Sequence, residues 1–307
     1  GFFQFNVVFG ILVAYLSNFA IGLGHFGEAE WRWDLGVAAV PAAFFLVMLF
    51  TIPRSPRWLV KKQRIAEARE VLKMTGDANY ERDLQEISAS IDAEHGHANE
   101  PLFSARHRLP IFLAVSIAFF NQFAGINAIL YYLNDIFASA GFSKVSSSLQ
   151  AVFIGLTNLI FTMIAMSVID KFGRKKLLLI GAVGTSLCLL GVAGVFATNT
   201  HTNLLIWLLV TYIAFFAFSQ GAVIWVYISE VFPNRVRAKG QSLGSFTHWI
   251  MAALISLEFP AVARWSKPLP FVFFAAITVL QFFVVLLLYP ETKGASLEEL
   301  QKELSVV

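Results

Sequence analysis

The sequence predicts an all-α integral membrane protein, and three observations carry this prediction. Hydrophobic residues make up 57% of the 307 residues and charged residues only 14%, whereas soluble domains have about 45–50% and about 25%. Eight apolar runs approach the roughly 20 residues that a helix needs to cross a bilayer. Basic residues concentrate in the segments between these runs. The runs cover residues 2–22, 35–52, 109–137, 145–169, 177–197, 204–232, 240–263 and 270–289.

The distribution of basic residues predicts how the chain is oriented. Nineteen of the 23 Lys and Arg residues lie between the second and third runs, after the fourth, after the sixth and after the eighth. The other four are Arg32, Lys144, Arg264 and Lys267. The positive-inside rule places the richer side in the cytoplasm. We therefore expect a multi-pass protein of the plasma (cell inner) membrane whose long loop and C-terminus are cytoplasmic.

The segment between the second and third runs is the one long polar stretch of the sequence. Its charges are roughly balanced, and Leu84, Ile87 and Ile91 recur at helical spacing. We expect short amphipathic helices at the cytoplasmic surface. They separate two apolar runs from six, which is an unusual division for a transporter built from equal repeats.

Three amides interrupt the third apolar run, where residues 121–127 read NQFAGIN. Asn121, Gln122 and Asn127 are costly in hydrocarbon unless they are paired or face a water-filled cavity. Neutral hydrogen-bonding groups beside the rings of Tyr131 and Tyr132 suit a neutral polyol better than an ion. Gln122 and Asn127 are about 140° apart on an ideal helix, so both can face one ligand if the helix loosens near Gly125.

Later runs carry polar and small residues at helical spacing, which is what the wall of a cavity needs. Small residues also serve helix packing, and this alternative stays open for Gly155 and Gly221. The three stripes are Gly155, Asn158 and Thr162; Phe218, Gly221, Trp225 and Ser229; and Gln241, Ser245 and His248.

Four further motifs stand at the ends of the runs. Residues 53–59 read PRSPRWL, 170–176 read DKFGRKK, 230–237 read EVFPNRVR, and 290–294 read PETKG. With NQFAGIN these motifs closely resemble, in order and spacing, the sugar porter family of the major facilitator superfamily. The resemblance covers the whole chain, and five motifs in register are very specific.

The resemblance implies twelve transmembrane helices in two six-helix halves, joined by a cytosolic helical segment. The eight runs then match helices five to twelve. The sequence begins with Gly1 inside an apolar run, without a recognisable signal peptide, so we expect a fragment of a longer protein. The predicted domains are 1–52, the last two helices of the N-terminal half; 53–108, the cytosolic linker; 109–290, the six-helix C-terminal half; and 291–307, a cytosolic tail.

The resemblance also implies which residues bind sugar. The carried-over positions are Gln4, Asn121, Gln122, Asn127, Asn158, Trp225 and His248. Asn121 stands where the family has glutamine, and His248 stands where it has an amide, so the sugar preference is expected to differ from that of common hexose carriers. Trp225 is either a packed aromatic or a ring that stacks on the sugar. His248 binds the sugar, pairs with a polar neighbour, or titrates during transport.

Gating residues follow from the same resemblance. Tyr131 and Tyr132 match the tyrosine pair thought to gate the outer side. At the cytoplasmic face, ion pairs across helix ends are expected when the cavity opens outward, between Asp170, Arg174, Glu230 and Arg237. Arg54 stands where the family usually has a glutamate, so the family role is not assigned to it.

The predicted function is transmembrane transport of a monosaccharide, a hexose or a pentose, by alternating access, as proton symport or facilitated diffusion. The alternatives are a non-transporting sugar sensor and a porter for another polyol such as inositol. No reactive constellation or phosphate loop suggests an enzyme, and we expect no cofactor or metal. The expected partners are the sugar, a co-transported proton if symport applies, and the lipid bilayer. A net charge of +3 with basic residues in short loops argues against nucleic acid.

Overall fold

The regular structure is helical throughout the residues that the computed structural model describes, which are 2–24, 26–74, 79–97, 100–233 and 235–294. The predicted tail 291–307 therefore lies outside the described residues beyond Gly294. In chain order the α-helices are α1 (Phe2–Leu23), α2 (Glu30–Gly36), α3 (Ala39–Leu49), α4 (Pro56–Lys61), α5 (Ile65–Met74), α6 (Tyr80–His97), α7 (Arg108–Phe123), α8 (Ile126–Tyr131), α9 (Leu133–Ser139), α10 (Lys144–Phe172), α11 (Arg174–Thr198), α12 (Leu204–Phe216), α13 (Ala222–Val231), α14 (Arg237–Trp265) and α15 (Leu269–Leu288).

Eight helical stretches of the described chain are long and apolar enough to cross a membrane, which confirms the predicted number of spans. Their large apolar side chains are often exposed, as lipid-facing residues are in a transmembrane helix. The stretches are Gln4–Leu23, Gly27–Leu49, Ala105–Tyr131, Ser147–Phe172, Arg174–Thr198, Leu204–Val231, Arg237–Trp265 and Leu269–Leu288.

The chain divides into two compact units. The first contains Gly1–Glu30 and Leu102–Val307, and the second contains Trp31–Pro101. The second unit has a small core of its own, in which Leu84 and Ile91 of α6 are buried and Ile87 packs against them. The amphipathic helix that was predicted from these three residues is therefore confirmed. The predicted boundaries at 52, 108 and 290 stay predictions.

The third membrane span is broken at Gly125, which is the condition under which Gln122 and Asn127 were expected to face one ligand. The helix α7 ends at Phe123, and α8 begins at Ile126. Gly125 between them has φ +89°, in the left-handed region, and a Cβ built there would overlap the Phe274 ring. Both the backbone conformation and the contact with Phe274 therefore require glycine at this position.

Gly125→Ala is expected to lower the free energy of unfolding by about 2 kcal/mol, because it adds left-handed strain and overpacks the contact with Phe274. Chemical denaturation of the purified protein measures the change. Gly194→Ala is the matched control, since a Cβ on this α11 glycine meets no atom within 4 Å. The control should be neutral or slightly stabilising, and equal effects of the two substitutions would contradict the expectation.

The sixth span contains a π-helical turn, Ala217–Gly221, between α12 and α13. Such turns are rare and often lie at functional sites. Close packing holds this turn against α11, where a Cβ on Gly181 would overlap the Ser219 hydroxyl. The absence of a side chain at Gly181 thus lets the two helices approach each other, as small residues do in membrane bundles.

Candidate functional site

A cavity of about 530 Å³, called the central cavity below, lies among the helices of the first unit. Its walls come from α1, α7, α8, α10, α13 and α14, with Phe216 and Gly221 from the region of the π-helical turn. The lining residues are Gln4, Val7, Val8, Ile11, Ala14, Tyr15, Asn121, Gln122, Ile126, Asn127, Leu130, Tyr131, Asn158, Thr162, Phe216, Gly221, Ile224, Trp225, His248 and Trp249.

All seven residues predicted to bind sugar line the central cavity. They come from five of the eight spans, so the fold brings together residues that are far apart in sequence. They are Gln4, Asn121, Gln122, Asn127, Asn158, Trp225 and His248. Their contact with sugar stays a prediction.

Gln122 is the centre of the polar wall. Its Oε1 accepts a hydrogen bond from Asn127 Nδ2 at 2.8 Å, across the break at Gly125. Its Nε2 donates to Asn121 Oδ1 at 3.1 Å, and lies 3.0 Å from Nε2 and 3.2 Å from Nδ1 of His248. The two predicted sugar-binding positions that depart from the sugar porter pattern, Asn121 and His248, therefore contact the same atom.

These contacts show that His248 pairs with a polar neighbour, Gln122, which is one of the three alternatives that the sequence left open. Because the Gln122 amide nitrogen has only hydrogens to offer, the imidazole nitrogen that receives it acts as an acceptor. The His248 ring also lies against two tryptophans, with centroids 4.9 Å from Trp225 and 5.2 Å from Trp249. An aromatic surface thus adjoins the amide wall.

Two further amides of the lining are free to bind a ligand. Within the described part of the chain, the side chains of Gln4 and Asn158 make no hydrogen bond. Tyr15 is also in the lining, and its hydroxyl donates to the Leu130 carbonyl at 2.7 Å. Tyr15 was not predicted from the sequence, although Gln4, Val8, Ile11 and Tyr15 follow one helical face, and this spacing could have revealed it.

The two adjacent tyrosines of the predicted outer gate face different cavities. Tyr131 lines the central cavity and is 60% exposed. Tyr132 lines a second cavity of about 480 Å³; its hydroxyl donates to the Ser256 carbonyl at 2.9 Å, and its ring stacks on Phe259 with centroids 5.3 Å apart. Tyr131 is thus the one placed to contact a ligand, and gating by either tyrosine stays a prediction.

A charge network, formed by Asp170, Arg174, Glu230 and Thr292, joins the ends of four spans, the fourth, fifth, sixth and eighth. The Arg174 guanidinium contacts Asp170 at 3.0 Å and forms two hydrogen bonds to Glu230, at 2.7 and 3.2 Å. Thr292 donates to Glu230 at 2.6 Å. Three of the four predicted charged gating residues are therefore in contact with one another.

Arg237 lies apart from the charge network. It begins α14, and its Nε donates to the Phe232 carbonyl at 3.3 Å. Among the described residues it makes no ion pair, because its guanidinium is turned back onto the chain that precedes its own helix. Its gating role stays a prediction.

Glu291, which the sequence analysis did not single out, caps a neighbouring helix. Its carboxylate accepts hydrogen bonds from the backbone N–H groups of Arg174 at 2.8 Å and Lys175 at 3.1 Å. These groups belong to the first turn of α11, where backbone donors lack helical partners and the helix dipole favours negative charge. The motif at 290–294 therefore fastens the end of the last span to the start of α11.

Glu291→Ala is expected to lower the free energy of unfolding by about 1 kcal/mol, the usual cost of losing a helix cap. Chemical denaturation measures this change. Glu86→Ala is the control, because Glu86 pairs with Arg82 at 2.9 Å on an exposed surface, where such pairs contribute little. A larger loss for Glu86→Ala would contradict the capping role.

Comparisons with known proteins agree with this architecture. The family model described as "Sugar (and other) transporter" matches residues 1–304. The chain is 33% identical over 314 residues to the D-xylose-proton symporter of Escherichia coli strain K12, which covers 98% of this chain and 63% of the symporter. It is 36% identical to the glucose transporter GlcP of Staphylococcus epidermidis, with 98% of this chain and 68% of the relative covered. The chain therefore spans about two thirds of the length of such relatives.

Solved structures of the Escherichia coli xylose transporter XylE show the same fold. The inward open conformation has a TM-score of 0.83 at 32% identity and covers 98% of this chain and 64% of that one. The structure bound to 6-bromo-6-deoxy-D-glucose, described as a major facilitator superfamily proton:xylose symporter, has a TM-score of 0.75 at 32% identity, with 98% and 66% covered. The motifs, the helices and these matches together establish that the chain belongs to the sugar (and other) transporter family and has the major facilitator superfamily fold.

Proposed function

We propose that the protein carries a monosaccharide, a hexose or a pentose, across the plasma membrane by alternating access, with the sugar held in the central cavity. The observation that carries this proposal is the chemistry of the lining. It combines amides, hydroxyls and indole rings, and among the described residues that line the cavity there is no Asp, Glu, Lys or Arg. Such a surface suits a neutral polyol, whose hydroxyls both donate and accept hydrogen bonds.

The geometry suggests how the sugar is held. Trp225 offers a ring face for the apolar side of the sugar, and the free amides of Gln4 and Asn158 bind its hydroxyls. Gln122 has already committed its amide within the protein, so a sugar hydroxyl that bonds to it must exchange with an existing partner. Exchange of one hydrogen bond for another costs little net free energy, which keeps binding weak enough for release.

Similar proteins support the substrate class and leave two modes of energy coupling. The relatives include the D-xylose-proton symporter already described and a glucose facilitated diffusion protein of Zymomonas mobilis, which is 34% identical over 313 residues. Proton symport and facilitated diffusion are therefore both proposed for the full-length protein. The excess of basic residues in the segments after the second, fourth, sixth and eighth apolar runs supports a cytoplasmic position for those segments.

Counterflow in proteoliposomes tests the proposal. The full-length protein is reconstituted, the vesicles are preloaded with unlabelled D-xylose, D-glucose or L-arabinose, and entry of the same labelled sugar is followed. We expect accumulation with at least one of them and none with sucrose, which exceeds a monosaccharide site. Uptake of myo-inositol alone, or saturable binding without uptake, would overturn the proposal in favour of another polyol or a sensor.

An imposed pH gradient separates the two coupling modes in the same vesicles. In symport, an inward proton gradient concentrates the labelled sugar above its external level, and a protonophore abolishes this accumulation. In facilitated diffusion, the sugar only equilibrates, with or without the gradient.

A further inference from the structure

Two buried amides form a pair outside the central cavity. Gln220 lies in the π-helical turn Ala217–Gly221, and Gln281 lies on α15. Each is 1% exposed, and Gln220 Nε2 donates to Gln281 Oε1 at 2.9 Å. Neither residue belongs to the lining of the central cavity, so neither contacts a ligand held there.

Stability does not explain this pair. Gln220 Oε1 is buried and has no hydrogen-bond partner, and an unsatisfied buried acceptor is destabilising. Two apolar side chains of similar shape would fill the same space without that cost, since replacing both partners of a buried hydrogen bond can be neutral or stabilising.

The Gln220–Gln281 pair is connected to the polar wall through the backbone of Gln220. The backbone carbonyl of Gln220 accepts a long hydrogen bond, 3.4 Å, from Asn121 Nδ2. This contact turns the Asn121 amide so that its Oδ1 faces Gln122 and accepts from Gln122 Nε2 at 3.1 Å. The π-helical turn itself is fixed on its other sides, by Gln281 and by the contact of Ser219 with Gly181 of α11.

The orientation of Asn121 decides what the wall offers to a ligand. With Asn121 Oδ1 as acceptor, Gln122 Nε2 divides its two hydrogens between Asn121 and His248, and Gln122 Oε1 receives Asn127. If Asn121 turned over, its NH₂ group would face the Gln122 NH₂ group. Gln122 would then have to rotate, and it would present a different atom to the sugar.

We propose that Gln281 and Gln220 are positioning residues that set sugar selectivity from outside the cavity. By holding the π-helical turn, they fix the Gln220 carbonyl, which fixes the Asn121 amide and through it Gln122. The inference rests on the proposed function, and it concerns the choice among monosaccharides that differ in the configuration of one hydroxyl.

The test replaces Gln281 by Leu, and by the isosteric Met in case Leu packs poorly, in the full-length protein in proteoliposomes. We expect a modest loss of thermal stability, because Gln220 Nε2 is left buried without its acceptor. The KM for the best sugar should rise about threefold to tenfold, the effect of one hydrogen bond, with a smaller change in kcat. The ratio of kcat/KM for D-glucose to that for its epimers D-galactose and D-mannose should shift.

Thr278→Val is the control for Gln281, because it is a buried polar-to-apolar change on the same helix. It should leave that ratio of kcat/KM values unchanged.

A double-mutant cycle with Asn121→Ala decides whether the effect passes through Asn121. In that background, Gln281→Leu should change KM and the epimer ratio no further, because the amide that it positions is gone. Unchanged selectivity in both Gln281→Leu and Gln281→Met would overturn the inference, and so would effects that simply add in the double variant. In either case, monosaccharide uptake by the wild type would still uphold the proposed function. A wild type that transports no monosaccharide would overturn both.

Discussion

Gln122→Ala is expected to lower kcat/KM for sugar uptake by about 100-fold, a loss of about 3 kcal/mol in transition-state stabilisation. The substitution removes the side chain that contacts the three other polar residues of this wall. Asn121 Oδ1, Asn127 Nδ2 and a nitrogen of His248 all lose their partner, and each such loss costs about 1–3 kcal/mol where water is excluded. Initial rates of labelled sugar uptake in proteoliposomes measure the change, normalised to the amount of reconstituted protein.

Two variants bracket this experiment. Gln122→Glu keeps the shape and the acceptor but replaces the donor that faces Asn121 and His248, so it should also lose most of the activity. Asn134→Ala removes an exposed amide on α9 and should change kcat/KM by less than about twofold. Unchanged uptake by Gln122→Ala at normal expression would refute the assignment of the central cavity as the sugar site.

Arg174→Ala is expected to lower the free energy of unfolding by about 3 kcal/mol. The side chains of Arg174 and Glu230 are only 10% and 25% exposed, and breaking a buried ion pair leaves an uncompensated charge. Thr292 alone then remains on Glu230, with one hydrogen bond of 2.6 Å. Chemical denaturation of the purified protein in detergent measures the loss as a lower midpoint at unchanged slope.

Lys176→Ala is the matched control for Arg174, because Lys176 lies two residues further along α11 and is exposed. Its effect should stay within about 0.5 kcal/mol. The loss of unfolding free energy for Arg174→Lys should lie between those for Arg174→Ala and Lys176→Ala, since lysine keeps the charge but cannot form the bidentate contact with Glu230. Equal midpoints for Arg174→Ala and the wild type would show that the charge network does not hold these helix ends together.

The sequence predicted much of the fold because membrane helices obey simple rules of length and polarity. The eight spans and the grouping of Gln4, Asn158 and Trp225 around one cavity followed from apolar runs, motif spacing and family resemblance, and Gly125 was recognised as the place where the third span could loosen. The same rules could also have singled out Gln281. Gln281 is an amide in an apolar run, as Asn121 is, and the cost of burying it was equally visible.

Other features depend on three-dimensional contacts that no linear pattern reveals. Glu291 reaches the first turn of α11 across 117 residues of sequence, so its capping role appears only when the two helix ends are side by side. The orientation of the Asn121 amide likewise depends on the Gln220 carbonyl, 99 residues away. Helical periodicity shows which face a side chain occupies, but not which distant backbone atom lies opposite.

The break at Gly125 has a mechanical consequence. A six-residue helix such as α8 is about 9 Å long, and it is joined to α7 through a residue whose backbone lacks the usual steric limits. A rotation of about 20° at that joint would move the far end of α8 by about 3 Å, about the width of one water molecule. Tyr131 and Tyr132 lie at that end and line different cavities. A single rotation at Gly125 would therefore change the widths of the central cavity and the second cavity at the same time.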